Sequence, residues 1–246
     1  MNPVLNSLRM VKKFARAAAG RELWQTEQFH AGCLTLGDEH ADWTMLASPL
    51  PAGSVVYSLG VGENISFDLE LIRRFGVTVH AFDPTPRAIA WIAAQDLPPE
   101  FVFHPFGVGR LDGTCPFSPP RDIRHVSHSL VQRDTPWPAI EVPVRRLTTV
   151  VRTLGHARIE LLKMDIEGSE YDVIDDLLAA ELPVGQLLVE FHHRWPELGL
   201  ARTRQAIRRL NAAGFRIFHI SPNGDEYSFL HRSLKQGASA SRVANF

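Results

Sequence analysis

Apolar and polar positions change rhythm repeatedly along this chain. From Val55 onward, short apolar, β-branched runs alternate with longer stretches whose apolar residues return at helical spacing. The short runs predict strands over 55–59, 77–82, 101–106, 159–164 and 186–191. The longer ones predict helices over 65–75, 87–95, 168–180 and 202–213. Pro84 and Pro86 suit the start of the second helix and Gly214 the end of the last. Residues 215–220 and 227–230 predict a closing hairpin around Pro222-Asn223-Gly224-Asp225. Strands alternating with helices imply an α/β fold: a doubly wound, mostly parallel seven-stranded sheet, Rossmann-like, with one antiparallel strand at its C-terminal end.

This pattern divides the chain into a helical or irregular extension over 1–50 packed on a main domain over 51–235, and a fraying tail over 236–246. The opening stretch sets Arg9, Lys12, Lys13 and Arg16 among Val4, Leu5, Leu8, Val11 and Phe14, the pattern of a cationic amphipathic helix. It has no uninterrupted apolar run of roughly 7–15 residues, as a secretory signal needs. Nor does any run of about 18 apolar residues predict a membrane span. A cytoplasmic protein is expected. With 246 residues, 45% hydrophobic and 22% charged, the chain can bury a sizeable core without staples. Lys and Arg number 26 against 27 Asp and Glu, so the basic excess of a general nucleic-acid binder is missing. Two isolated cysteines, Cys33 and Cys115, are too few for a disulfide framework or a thiolate zinc site.

In open α/β sheets, ligands bind beyond the carboxyl ends of the strands where strand order reverses. The first strand of the main domain runs into Ser58-Leu59-Gly60-Val61-Gly62-Glu63-Asn64, and the second ends at Asp83. Gly60 and Gly62 allow a tight turn and close approach of a ligand. Asp83 stands where a carboxylate accepts the hydroxyls of an adenosine ribose. A dinucleotide site calls for a third glycine where Ile65 stands, and Glu63 repels a diphosphate at close range. An adenosine with a cationic centre and no phosphate suits this loop better, which points to S-adenosylmethionine.

Two later strands also end in acid groups: Lys163-Met164-Asp165-Ile166-Glu167-Gly168-Ser169-Glu170, and Val189-Glu190-Phe191-His192-His193. Asp165, Glu190 and His192 are the candidate catalytic residues, because carboxylates directly after buried strands need a partner. Two roles stay open. His192 (or His193) removes a proton from a hydroxyl acceptor, or Asp165, Glu190 and His192 hold a divalent metal that lowers the acceptor's pKa. Glu170 is expected to serve the start of the following helix, and Lys163 to be a structural ion-pair partner. Residues 111–143 carry many prolines, serines and histidines and little periodicity. They predict a long functional loop, in which Arg121, Arg124, His125, Ser127, His128, Ser129 and Arg133 would select an anionic or polyhydroxylated acceptor.

Taken together, Val56-Tyr57-Ser58-Leu59-Gly60, Phe82-Asp83-Pro84-Thr85-Pro86, the stretch from Leu161 to Glu170, Val189-Glu190-Phe191-His192-His193 and Glu226-Tyr227-Ser228-Phe229 resemble the FkbM-type methyltransferases. The likeness is strongest to the branch that includes the methyltransferase-like twenty-four proteins, and makes residues 51–235 the methyltransferase domain. It implies a class I methyltransferase fold, S-adenosylmethionine as cofactor, and O-methylation of a small-molecule hydroxyl on a sugar or natural product. Ser58, Gly60, Gly62, Glu63, Asp83 and Asp165 would then form the cofactor site. Many relatives carry an acidic residue where this chain has Ser58, and Glu63 or Asp68 would supply that charge. Two rivals are a metal-dependent enzyme of another kind using Asp165, Glu190 and His192, and a non-catalytic module that binds cofactor or partner.

Overall fold

The structure, a computed structural model, describes residues 17, 22–39, 41–48, 50–120, 128–132 and 134–233. The expected cationic helix (Ala17 apart) and the tail over 236–246 lie outside the described residues, as do Arg121, Arg124, His125, Ser127 and Arg133.

Two strands, β1 (Cys33–Leu36) and β2 (Trp43–Leu46), open the described chain as a hairpin. There follow β3 (Val55–Leu59), α1 (Ser66–Phe75), β4 (Thr78–Phe82), α2 (Pro86–Ala93) and β5 (Phe101–His104). Next come β6 (Gly107–Val108), β7 (Gly113–Phe117), β8 (Ile140–Arg145) and α3 (Leu147–Leu154). The chain continues with β9 (Ile159–Met164), α4 (Glu170–Ala179), β10 (Val184–Glu190), α5 (Gly199–Ala212), β11 (Phe215–Ile220) and β12 (Glu226–His231).

Seven of these strands form the main sheet, in the order β11-β12-β10-β9-β3-β4-β5. Each of the pairs β10–β9, β9–β3, β3–β4 and β4–β5 is parallel, whereas β12 runs antiparallel to both β10 and β11. The reversed strand therefore lies inside the sheet, although it comes last in the chain. Burial explains the placement. Tyr227, Ser228, Phe229 and Leu230 are all buried and need cover on both faces, while β11 keeps Arg216 exposed and takes the edge. That edge is blunted by Gln28: its backbone N–H donates to the Ile217 carbonyl, and Ile217 N–H donates to its Oε1, both at 2.8 Å.

Helices cover both faces. Against one face, α3, α4 and α5 pack Val150, Ile174, Leu177 and Leu210 onto Leu162, Met164, Leu187 and Val189. Against the other, Leu71 of α1, Ile92 of α2, and Trp43 and Met45 of the hairpin pack onto Val56, Leu161 and Leu188. Gln186, buried in β10, accepts the Leu46 N–H at 2.9 Å, and Ser228 donates its hydroxyl to the Thr44 carbonyl at 2.6 Å. The first β-hairpin is thus locked to the sheet it covers. Among the described residues no helix is long and apolar enough to cross a membrane.

Several elements differ from the sequence expectation. The stretch over 111–143 is less irregular than expected, because β7 and the start of β8 pair within a small sheet of order β6-β8-β7. Val142 and Val144 point inward from β8 while Glu141, Pro143 and Arg145 face out, an alternation that the many nearby prolines obscured. Helix α3 was not anticipated. Helix α4 starts at Glu170 instead of residue 168, since Glu167 (φ 53°) and Gly168 (φ 100°) turn left-handed before it. Strand β5 stops at His104, one residue before Pro105, which has no N–H to give the ladder.

Candidate active site

Strand order reverses between β3 and β9, and the chain opens a crevice at their carboxyl ends. Gly60 N–H donates to the Phe82 carbonyl at 2.9 Å, and Asp165 N–H to the Leu59 carbonyl at 3.0 Å, so both loops leave the sheet side by side. Gly60 adopts φ 74°, and a Cβ there would lie 1.7 Å from the Asp165 carbonyl oxygen. Glycine is therefore required at 60 by the approach of one strand-end loop to the other, before any ligand is considered. Asp83 organises the loop from the next strand: its Oδ2 accepts Gly62 N–H at 2.9 Å and its Oδ1 accepts Thr85 N–H at 2.8 Å. Each oxygen retains lone-pair capacity for a further donor.

The crevice is a cavity of about 440 Å³ with an unbalanced wall. Among the described residues Glu39, Asp42, Glu63, Asp83, Asp165, Glu167, Glu190 and Glu226 line it, against a single lysine, Lys163. Lys163 is buried and already engaged: its Nζ donates to the Gly60 carbonyl at 2.5 Å and lies 5.3 Å from the Trp43 ring centroid. Burial pushes the Asp68 carboxyl above its usual range, with the charge of Lys163 opposing that rise. Burial raises Glu190 to about 8, with the negative charge of Asp165 adding to it. Glu226 is pushed up to about 7 by burial, then by Asp42 and Asp165. Two unit charges about 4 Å apart interact by roughly 4 kcal/mol at a partly screened protein surface. Such a wall favours a cation and opposes a diphosphate.

Behind Asp165 and Glu167 stands His192, with 9% of its side chain exposed. Its Nδ1 meets Glu170 Oε1 at 2.9 Å, while Nε2 faces Glu167 Oε2 at 3.3 Å and Asp165 Oδ1 at 3.8 Å. Burial opposes the charged imidazole, but Glu170, Glu167 and Asp165 together outweigh it and raise His192 to about 10. Glu170, with no side-chain exposure, also accepts the N–H groups of Ile166 at 3.2 Å and Gly168 at 3.1 Å. One carboxylate thereby shapes the turn and fixes the imidazole. One ligand atom from each of Asp165, Glu190 and His192 falls within 4.8 Å of the others, a spacing a metal ion can bridge.

A family model for the FkbM methyltransferase domain matches residues 57–217, a span reaching from β3 to β11 and containing all of these strand ends except the one bearing Glu226. The chain belongs to the FkbM methyltransferase family. It is 26% identical over 175 residues to the probable methyltransferase-like protein 24 of Rattus norvegicus, covering 67% of this chain and 42% of that protein. This chain therefore spans less than half the length of that relative. It is also 26% identical over 199 residues to the 31-O-demethyl-FK506 methyltransferase FkbM of Streptomyces tacrolimicus, covering 68% of this chain and 75% of that one. Among solved structures, the fibrillarin pre-rRNA processing protein of Methanococcus jannaschii aligns with a TM-score of 0.41 at 10% identity, over 75% of this chain and 69% of its own.

In this FkbM-family chain the residues expected at the cofactor separate into two sets. Gly60, Gly62, Glu63, Asp83 and Asp165 line the cavity. Ser58 does not: it is fully buried under the glycine loop, opposite Lys163 in the pairing of β3 with β9. Asp68, offered as a substitute charge, is likewise buried beneath the loop and held by Lys163. Glu63 is paired with Arg87 at 2.6 Å, so its repulsion of a phosphate is largely answered, and the deeper carboxylates carry that exclusion instead. Asp165 and Glu190 stand on the cavity wall with His192 behind them. His193 turns the other way, its Nε2 3.2 Å from Glu22 Oε1 and 3.7 Å from Asp225 Oδ1. Arg194 bridges the same two carboxylates. From the long Pro-rich stretch, His128 reaches the cavity and stacks on Phe117 at 5.3 Å.

Sequence reasoning missed Glu39, Asp42 and Trp43, which the β1–β2 hairpin brings to the cavity, and the tie from Glu170 to His192. It also passed over Glu226 as a site residue. Glu226 is paired with Glu190 in the register of β10 and β12. An acidic residue at the head of a strand as apolar as Tyr227–Leu230 was the available signal.

Proposed function

We propose that this protein is an S-adenosylmethionine-dependent O-methyltransferase acting on a hydroxyl of a sugar or natural-product acceptor. The observation that carries the reading is the acid-lined crevice at the strand switch of an FkbM-family chain, whose one lining lysine is turned under the glycine loop. When bound, S-adenosylmethionine supplies a methyl group on a cationic sulfur. The chain's residues divide the remaining work. Asp83, held rigid by Gly62 and Thr85, accepts the ribose hydroxyls on its remaining lone pairs. The carboxylates of the crevice wall balance the cofactor's positive charge. Glu190, raised to about 8, is a strong base for a carboxylate and takes the proton of an acceptor hydroxyl in its ionised form, which positive charge placed beside it favours. His192, protonated and out of the cavity lining, acts as a positioning residue that keeps Asp165 and Glu167 in place. The name of the Streptomyces relative, which acts on an O-demethyl compound, supports oxygen as the acceptor atom.

Calorimetry with S-adenosylhomocysteine and NAD tests this directly. Saturable binding of the first and none of the second is expected; the reverse result ends the proposal. Asp83→Ala should weaken S-adenosylhomocysteine binding about tenfold or more, through loss of charge-assisted hydrogen bonds. Glu190→Gln should lower turnover by about a hundredfold or more while the cofactor still binds. Turnover is read as S-adenosylhomocysteine released across a panel of alcohols and sugars, and wild-type turnover in Glu190→Gln would remove Glu190 as the base.

A second reading places a divalent cation at Asp165, Glu190 and His192, favoured by the mutual approach of their ligand atoms and by the Glu170 contact that fixes the imidazole. Oxygen and imidazole donors suit such an ion, which would acidify an acceptor hydroxyl. Dialysis against a chelator followed by magnesium or manganese add-back separates the two readings. Turnover that survives chelation excludes the ion.

A further inference from the structure

Behind the cofactor crevice lies a second cavity, of about 700 Å³, between the small sheet of β6, β7 and β8 and the helices α4 and α5. The two cavities share a partition, with Leu130 and Ser169 lining both. That partition is built and anchored. Ser118 and Ser129 exchange both backbone hydrogen bonds, at 2.8 and 2.9 Å. The Ser129 hydroxyl donates to the Glu167 carbonyl at 2.5 Å and accepts Val131 N–H at 2.9 Å. Val131 in turn packs on Gly168, where a Cβ would come within 2.9 Å of its Cγ2. The partition is thus tied to the same loop that carries Asp165 to the crevice.

The second cavity has the opposite character from the first. Among the described residues its charged lining residues are Arg110, Arg202 and Asp172. Arg202 is already held, 2.8 Å from Asp172 and 4.7 Å from the Tyr171 ring centroid. Arg110 is exposed and forms no ion pair within 4 Å among the described residues, although its charge acts on Asp172 from a distance. Beside it, the wall carries two large apolar side chains that water still reaches, Leu111 at 44% and Trp137 at 45% exposure. Only one other large apolar residue among those described, Trp24, is as exposed, so this apolar surface is concentrated at one cavity. A concave site with an apolar wall and two arginines against one carboxylate suits an amphiphilic anion.

We infer that this cavity is the acceptor subsite, taking a molecule with an aromatic or otherwise apolar body and an anionic group remote from the hydroxyl to be methylated. The inference rests on the methyl-transfer reading and adds a substrate class to it. Arg110 receives the anionic group, Trp137 and Leu111 cover the apolar body, and the hydroxyl reaches Asp165 and Glu190 past the Leu130–Ser169 partition. The separation of charge suits both ligands, since an anionic acceptor would be repelled by the acid-lined crevice and a cationic cofactor finds no carboxylate cluster in the second cavity.

The test uses the full chain with anilinonaphthalene sulfonate as the anionic aromatic probe and phenylnaphthylamine as its neutral counterpart, alongside calorimetry with S-adenosylhomocysteine. Saturable binding of the sulfonate is expected, weakened about tenfold by Arg110→Ala. The neutral probe should bind wild type and Arg110→Ala alike and lose affinity for Trp137→Ala. The affinity for S-adenosylhomocysteine should be the same in all three proteins. Sulfonate binding that is absent, or that Arg110→Ala leaves intact, overturns the subsite while S-adenosylhomocysteine binding upholds the methyl-transfer reading. Failure of S-adenosylhomocysteine to bind wild type overturns that reading and the acceptor role together.

Discussion

Two groups of histidines in this protein show how differently one side chain behaves in two settings. His192 sits among Glu170, Glu167 and Asp165 and is raised to about 10. His80, His104 and His156 sit among one another and aromatic rings on the face of the sheet that α3 covers. His80 Nδ1 lies 3.0 Å from His104 Nε2, and His156 Nδ1 lies 2.8 Å from the Tyr57 hydroxyl. Burial, with the neighbouring imidazoles, pushes His80 down to about 4, and burial lowers His104 and His156 as well. Both groups are desolvated, so burial alone does not decide the charge; the neighbours do. The cluster near α3 is a neutral, hydrogen-bonded piece of the core. The one behind the crevice is held toward the charged form by carboxylates, two of which line the cavity.

The largest expected effect is on the partner of His192. Glu170→Ala removes a carboxylate that supports an imidazolium and two backbone N–H groups, and breaking such a buried pair costs about 3–5 kcal/mol. Urea unfolding measures it, and a loss under about 1 kcal/mol would mean that His192 is not held charged in the native state.

The two groups should also give opposite slopes of stability with pH, measured in the presence of chelator. His80 is depressed in the folded state, so its contribution is complete above the unfolded value near 6.5 and is lost as pH falls toward about 4. His192 is raised, so its contribution is complete below 6.5 and is lost as pH climbs toward about 10. Glu190 and Glu226, also raised, add to the alkaline loss, across the range from the usual carboxylate value up to about 8 and about 7. At about 1.4 kcal/mol per pKa unit the acid limb should amount to about 3 kcal/mol from His80, and the alkaline limb, with three raised groups, should be the larger of the two. His80→Phe, which suits the aromatic neighbours, should reduce the acid limb alone, and His192→Asn should remove the part of the alkaline loss that falls above about pH 8. A single substitution that moved both limbs would break the contrast.

The smallest effect is a proton count. A cationic cofactor entering beside Glu190 and Glu226 should drive off part of the protons they carry, about half a proton near pH 7.5. Titrating S-adenosylmethionine in phosphate and in Tris, whose ionisation enthalpies differ, reads that release. Identical heats in both buffers would show that the wall carboxylates are already ionised.

Much of the parallel core was legible because each strand is a short, mostly apolar run followed by an amphipathic stretch, as at Ile159–Met164 followed by Glu170–Ala179. The hairpin Cys33–Leu36 and Trp43–Leu46 was not, since four-residue strands carry too few alternations to stand out. Helix α3 was hidden because it is only eight residues long and follows a strand directly. In the site, Gly60, Asp83, Asp165 and Glu190 were identifiable from their places at strand ends. The burial of Ser58 was not legible, as only the packing of β3 against β9 encloses its side chain.

By itself, the sequence determined which residues stand at the carboxyl ends of the buried strands, because the period of the apolar pattern sets where each strand stops. Tertiary structure alone decided which of those ends meet, and with which charge. Asp165 and Glu167 confront His192 across two separate loops, and Glu63 is matched by Arg87 while burial and Asp165 push Glu190 above the usual carboxylate range. The physical reason is that apolar periodicity is a local property of the chain, whereas the ionisation of a buried group depends on charges within a few ångströms that the sequence keeps far apart.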